Sequence, residues 1–232
     1  MRIILFTLVM ASLLSFAPTP SKKKVIFLGD SLTQNGAQPG GFIELLKDEL
    51  KNRGLENNYE LIGKGVGGNR VRELLARLER DVIELKPDLV FIMVGINDIG
   101  FFTWHPEDGG TPVDQYELAL TYMAKRIQQK GGSVVLCSPT VIEERYDGKN
   151  PMDKQLDQYA KVVQKVAHVT GSQYCNMREI FMDYLKKNNR ENKLKDILTT
   201  DYVHLNDKGN HLIMESLINY FGCLSTSGKC CY

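Results

Sequence analysis

Short apolar runs alternate with stretches of helical apolar spacing along this chain, and that alternation most constrains its fold. The apolar runs are continuous, which is typical of strands in a parallel sheet that is covered on both faces. The intervening stretches repeat apolar residues every three or four positions, as helices packed on a sheet do. The sequence therefore predicts an α/β fold. The predicted strands are residues 25–28, 59–62, 89–94, 133–136 and 173–176.

Helical spacing predicts helices between and after these strands. Two stretches with few apolar residues, 100–112 and 139–151, are predicted loops. Each follows a strand and is expected over the carboxyl edge of the sheet, where open α/β sheets bind ligands. The predicted helices are residues 42–53, 71–85, 114–130, 153–169, 178–187 and 206–221.

The N-terminus has the pattern of a secretory signal peptide. Arg2 precedes an apolar stretch, residues 3–17, that is shorter than the roughly 20 residues of a membrane span. We expect a signal peptide over residues 1–21, cleaved between Ser15 and Ser21, and one domain over residues 22–232. An uncleaved N-terminal anchor is the alternative. The mature protein is expected to be secreted or periplasmic, without a stable membrane span.

Charge and cysteine content narrow the partners and cofactors. A net charge of +1 in 232 residues argues against nucleic-acid binding, for which a basic excess is expected. The cysteine spacing does not support a zinc site, and we expect no metal. Cys137 and Cys175 lie in apolar runs and are predicted buried free thiols. Cys223 is expected to pair with Cys230 or Cys231 in an oxidising compartment.

Two short blocks follow the first two predicted strands. Residues 29–33 read GDSLT, which exposes Ser31 at the sheet edge; a turn or helix-capping serine is the alternative. Residues 63–69 read GKGVGGN and match the glycine spacing of a dinucleotide site. That fingerprint belongs after the first strand and needs an acidic residue at the end of the next one. We expect these glycines instead to bring backbone N–H groups close to a ligand.

Two further blocks complete the pattern. Asn97 follows the third strand, where its side-chain amide is able to face a developing oxyanion or to stabilise a turn. Asp201 stands three residues before His204, close enough to orient its ring, although a surface pair has the same spacing. The blocks together supply a serine, a base, an orienting carboxylate and oxyanion donors. These are the groups that serine-based acyl transfer requires.

The four blocks, in this order, resemble those of the SGNH (GDSL) hydrolase family from residue 25 to about residue 221. The resemblance implies a flavodoxin-like three-layer α/β/α sandwich with a five-stranded parallel sheet and a cofactor-free serine esterase. It implies that Ser31 is the nucleophile, His204 the base and Asp201 its orienting carboxylate. Oxyanion donors would be the backbone N–H groups of Ser31 and Gly68 and the side chain of Asn97.

Other residues are candidate contacts to substrate or to the site itself. Tyr202 stands where the family often has glycine, so its ring is expected at the pocket. Asp30 adjoins the nucleophile and is expected to support it by hydrogen bonds. Trp104 and His105 lie in the predicted loop after Asn97. The candidate substrate contacts are Asp30, Trp104, His105 and Tyr202.

The sequence around residues 110–112 and 204–210 resembles a bacterial branch of small secreted esterases. That resemblance does not specify a substrate. Export, the many deacetylases of the family that the chain resembles and the aromatic residues of 101–104 lead us to expect removal of short acyl groups, above all acetyl groups, from small-molecule or glycan esters. The alternatives are a lysophospholipase or thioesterase with longer acyl chains, acyl transfer to a sugar, and a non-catalytic glycan-binding protein on the same fold. The oligomeric state stays open.

Overall fold

A computed structural model describes residues 21–222 and has a parallel sheet of five strands at its centre. The strands are β1 (Lys23–Gly29), β2 (Tyr59–Gly65), β3 (Leu89–Met93), β4 (Ser133–Cys137) and β5 (Gln173–Cys175). Their order across the sheet is β2-β1-β3-β4-β5, and every pairing is parallel. This order is the flavodoxin-like one, in agreement with the flavodoxin-like fold and the five-stranded parallel sheet that the family resemblance implied.

Helices cover both faces of the sheet, as the continuous apolar strands require. They are α1 (Ser31–Gly36), α2 (Phe42–Asn52), α3 (Val71–Ala76), α4 (Leu78–Asp81), α5 (Ile96–Trp104), α6 (Val113–Gln129), α7 (Asp153–Thr170), α8 (Met177–Asn188), α9 (Asp207–Leu217) and α10 (Asn219–Gly222). Helix α9 packs against α2 and α8, whereas α6 packs against α3 and α7. The predicted α/β/α sandwich is confirmed.

The strand register brings three strand ends to one level. Gly29, the last residue of β1, pairs with Gly65 of β2 and with Met93 of β3. Because the chain leaves β1 toward β2 on one side and β3 lies on the other, the crevice between these ends is a topological switch point. Ligands of open α/β sheets bind at such a crevice.

Aromatic rings dominate the core beneath this edge. Phe27 stacks on Phe91 with ring centroids 5.0 Å apart, and Phe91 stacks in turn on Phe221 at 6.1 Å. The contact with Phe221 fastens α10 to the sheet. Cys137 and Cys175 are paired in register on β4 and β5, and both are buried free thiols, as predicted.

Two predictions of secondary structure were wrong. Residues 100–104 belong to helix α5 rather than to a loop, because contacts with distant residues hold its first turn, where Asp98 accepts the Val71 N–H. The predicted helix 71–85 is divided into α3, α4 and a 3₁₀ turn at Ile83–Leu85. The break at Arg77 lets that side chain turn inward to main-chain oxygens. Residues 139–151 form neither helix nor strand, apart from turns, which agrees with the predicted loop.

The predicted signal peptide lies outside the described residues except for residue 21. The predicted pairing of Cys223 with Cys230 or Cys231 lies wholly outside them. Between residues 21 and 222, no helix is both long and apolar enough to cross a membrane.

Candidate active site

Ser31 is the first residue of α1 and stands immediately after β1. The side chain of Asp30 caps the helix by accepting the Leu32 N–H at 3.0 Å. The close seating of α1 on β2 depends on Gly65, where a Cβ would lie only 2.0 Å from the Gln34 nitrogen. Ser31 is thus fixed at the carboxyl edge of the sheet, with the N–H of a first helical residue free of helical bonding.

His204 connects Ser31 to Asp201 by two hydrogen bonds. Its Nε2 lies 3.0 Å from Ser31 Oγ, and its Nδ1 lies 2.7 Å from Asp201 Oδ2. The ionised carboxylate only accepts, so Nδ1 carries the proton and Nε2 of the neutral ring is the acceptor for the serine hydroxyl. This arrangement is able to remove the proton of Ser31.

The turn before α9 holds Asp201 beside Nδ1 of the imidazole ring. Asp201 Oδ1 accepts the backbone N–H of His204 at 2.8 Å and that of Val203 at 3.3 Å. Partial burial raises the pKa of Asp201, but these hydrogen bonds and the nearby imidazole lower it more, so its pKa is below the ordinary value. The carboxylate therefore remains charged and stabilises an imidazolium at His204.

The glycine loop after β2 presents one unbonded N–H on the side of the sheet edge where Ser31 lies. The N–H of Gly67 donates to Gln34 Oε1 at 2.7 Å, which removes it as a ligand contact. Gly68 has a φ of +75°, a conformation that favours glycine, and its N–H has no acceptor within residues 21–222. Of the two adjacent glycines, Gly68 is the one able to donate to a ligand.

Asn97 lies in the first turn of α5, directly beyond the end of β3. Its Nδ2 donates to the carbonyl oxygen of Asn69 at 3.0 Å, which fixes the orientation of the amide. An amide nitrogen carries two hydrogens, so the second is available to another acceptor. Ser31, Gly68 and Asn97 thus offer N–H groups from three neighbouring strand ends.

Two buried carboxyl groups lie behind these residues. Asp30 is 1 % exposed and Asp98 is fully buried. Burial is the main reason that the pKa of Asp30 is raised to about 7 and that of Asp98 to about 6. Each accepts a backbone N–H, from Leu32 and Val71 respectively. Both side chains face the interior, which fits the supporting role expected of Asp30 better than contact with a substrate.

The remaining candidate contacts lie at the surface of the protein. Trp104 and Tyr202 are 38 % and 42 % exposed. The ring of Trp104 lies against Gly100, one turn earlier in α5. His105 contacts the ring of Phe101 and lies 3.5 Å from Glu107, and no hydrogen bond within residues 21–222 joins it to Ser31 or His204.

Comparison with known proteins places this arrangement in a family. Residues 27–212 match the model of the GDSL-like lipase/acylhydrolase family. The chain belongs to that family. Its curated members include an acetylxylan esterase of Geobacillus stearothermophilus, which is 30 % identical over 219 residues, 87 % of this chain and 95 % of the relative. This GDSL-family chain is accordingly a carboxylic ester hydrolase.

Two more relatives extend the comparison. The crystal structure of the acetyl xylan esterase AlAXEase superposes with a TM-score of 0.81 at 39 % identity, covering 84 % of this chain and 97 % of that one. An isoamyl acetate-hydrolyzing esterase 1 homolog of Rattus norvegicus is 24 % identical over 206 residues, 82 % of this chain and 78 % of the relative. The likeness therefore spans nearly all of the described chain.

Sequence reasoning missed Arg77, a buried residue that joins the strand ends of this GDSL-family site. Its guanidinium donates to the carbonyl oxygens of Gly29 at 2.8 Å and Lys64 at 2.9 Å. It also donates to Asn69 Oδ1 and forms an ion pair with Asp81. Most of its acceptors are distant in sequence and two are main-chain atoms. No local sequence pattern therefore indicates that Arg77 joins these strand ends.

Among the described residues, one group has metal-ligating atoms within 4.8 Å of one another: His105, Glu107 and Asp108. All three side chains are exposed, and the ring of His105 contacts that of Phe101. Exposed acidic clusters of this kind are common without a metal.

The buried carboxyl of Asp30 predicts a pH-dependent stability. Its pKa rises from 3.8 in the unfolded chain to about 7 in the folded one, so the stability it contributes is complete below about pH 4 and is lost as the pH rises through 7. Asparagine cannot ionise but still accepts the Leu32 N–H. Relative to wild type, Asp30→Asn should gain more than about 1 kcal/mol of unfolding free energy between pH 4 and pH 7.

Urea unfolding from pH 4 to pH 8 measures this difference. The matched control is Asp48→Asn, which makes the same substitution at an exposed position on α2. A pH-independent difference for Asp30→Asn would show that Asp30 is ionised in the folded protein throughout this range.

Proposed function

We propose that this chain removes acetyl groups from carbohydrate esters through an acetyl-serine intermediate at Ser31. The hydrogen-bonded row of Ser31, His204 and Asp201 is the observation that carries the proposal. Its acetyl specificity is supported by relatives whose names refer to acetyl esters, acetylxylan and isoamyl acetate.

The first half of the reaction forms the intermediate. Nε2 of His204 takes the proton of Ser31 while Oγ attacks the ester carbonyl carbon. Asp201 holds the ring in the correct tautomer and stabilises the imidazolium. The imidazolium then gives its proton to the sugar oxygen as the carbon–oxygen bond breaks, which leaves acetyl on Ser31 and frees the sugar hydroxyl.

The second half repeats these steps with water. His204 removes a proton from a water molecule, whose oxygen attacks the acetyl carbon, and the proton returns to Ser31 Oγ as acetate departs. Both tetrahedral intermediates place a negative charge on the former carbonyl oxygen. We propose that the N–H groups of Ser31 and Gly68 and the second amide hydrogen of Asn97 stabilise this charge, and each such donor is worth about 10²–10³-fold in rate.

The exposed ring of Trp104 at the end of α5 fits a carbohydrate. Asn97 and Trp104 are seven residues apart and share one face of the helix, about 10 Å along its axis. Helical side chains lean toward the N-terminus, so the ring of Trp104 covers Gly100 in the direction of Asn97. We propose that this ring stacks on a sugar unit next to the acetylated one.

The proposal is tested by measuring acetate release from acetylated xylo-oligosaccharide and from p-nitrophenyl acetate, butyrate and octanoate. We expect acetyl esters to be preferred and Ser31→Ala to lower kcat by at least about 10³-fold, since the nucleophile is lost. Ser133→Ala, at an exposed position at the start of β4, is the matched control and should leave the rate unchanged.

Four results would contradict the proposal. Undiminished turnover in Ser31→Ala would remove the acyl-serine mechanism. A preference for octanoate would favour the longer-chain lysophospholipase or thioesterase reading, and no turnover of any ester would favour a glycan-binding protein. Release of acetylated sugar acceptor instead of acetate would identify acyl transfer.

The role of Trp104 has its own test. Trp104→Ala should raise KM for the oligosaccharide about 3–10-fold, the worth of one aromatic contact, and leave KM for p-nitrophenyl acetate within about twofold. Trp104→Phe keeps a ring and should recover most of the loss. Equal effects on both substrates would show that the ring supports the site rather than binding sugar.

We also propose that the protein is exported. The support is the sequence of residues 1–21, in which Arg2 precedes an apolar stretch and small residues. The mass of the protein recovered outside the cytoplasm should correspond to an N-terminus between residues 16 and 22. A full-length mass in a membrane fraction would indicate the uncleaved anchor instead.

A further inference from the structure

We propose that Glu144 is a positioning residue that holds the turn carrying Asp201 and His204 in register with Ser31. The inference rests on the proton-transfer role proposed above for His204. Glu144 lies in the loop between β4 and α7, 57 or more residues from both catalytic groups in sequence, and no motif of the sequence marks it.

The carboxylate of Glu144 is completely buried and is surrounded by donors from one segment. Oε1 accepts the backbone N–H groups of Leu198 at 2.6 Å and Thr199 at 2.5 Å, and also the Thr199 hydroxyl at 2.9 Å. Oε2 accepts the N–H of Ile197 at 2.8 Å. One side chain thus orders three consecutive backbone groups.

That segment forms the base of the turn with Asp201 and His204. Thr199 pairs with Leu205 in an antiparallel bridge, and the Asn206 N–H donates to the Leu198 carbonyl at 2.9 Å. The Thr200 N–H donates to the carbonyl of His204 itself at 2.8 Å. Both ends of the turn are therefore tied to the residues that Glu144 binds, so a shift of this base moves the imidazole.

The loop around Glu144 also contacts the tip of the turn. The backbone N–H of Glu143 donates to the carbonyl of Tyr202 at 2.8 Å, between the two catalytic residues. Glu144 is itself fixed, since its N–H donates to the Leu194 carbonyl and its own carbonyl accepts from the Asn189 side chain at 3.0 Å. The turn is held at its base by a side chain and at its tip by the main chain.

Glu144→Gln tests this arrangement with a minimal change of shape. The substitution replaces one carboxylate oxygen with an NH₂ group. That group cannot accept the backbone N–H groups that face it, so buried donors are left unpaired. Because a displacement near 1 Å costs about 10²-fold in rate, we expect kcat for p-nitrophenyl acetate to fall about 10–100-fold. KM should stay within about twofold. The control Glu117→Gln, at a partly exposed residue of α6 that pairs with Lys165, should leave both unchanged.

A double-mutant cycle separates positioning from general damage to the fold. In the His204→Ala background, Glu144→Gln should cause no further loss of the residual rate, since the group it positions is absent. The rate of Ser31 phosphonylation by a fluorophosphonate should fall in Glu144→Gln by the same factor as kcat. These two readouts would not respond in this way to a merely structural role.

Three outcomes would overturn the inference: an unchanged kcat, an equal fold-loss in both backgrounds, or a phosphonylation rate that does not follow kcat. The proposed function fails separately, because it fails if His204→Ala leaves the rate of the otherwise wild-type protein unchanged, whatever the effect of Glu144→Gln.

Discussion

Parallel pairing of β1 with both β2 and β3 places three strand ends at one level, and the site depends on that register. Gly29 pairs with Gly65 and with Met93, so the residues that follow each strand meet at a single edge. A shift of either pairing by one residue would turn the strand's side chains to the opposite face and separate the turns. The sheet brings Ser31, the glycine loop and Asn97 together, although they are far apart in the sequence.

The edge by itself supplies only loops, and buried polar side chains make those loops rigid. Arg77 joins the ends of β1 and β2 through their carbonyl oxygens, and Asp98 fastens α5 to the start of α3. Glu144 binds the base of the turn that carries His204. Each satisfies main-chain groups that would otherwise be costly to bury. The positions of the loops that form the site are thus fixed by charged side chains within the protein.

The sequence was sufficient to predict the sheet and to single out the four blocks, because both depend on local patterns. The continuous run 25–28 and the turn residues after it belong to neighbouring positions, which periodicity and turn chemistry describe. Helix α5 was missed because asparagine, aspartate and glycine near its start favour turns, and tertiary contacts hold it. Arg77 and Glu144 were invisible for a related reason: their partners include main-chain atoms up to 55 residues away.

The most direct test of the account is to quench the reaction with an acetyl ester during turnover and to map the acylated peptide by mass spectrometry. If Ser31 is the nucleophile, the peptide containing Ser31 gains one acetyl group, and that group is lost at the rate of turnover once the ester is removed. Acetylation of another residue at that rate, or rapid turnover without any acylated peptide, would contradict the account. The first result would connect the geometry of Ser31, His204 and Asp201 to the chemistry that it supports.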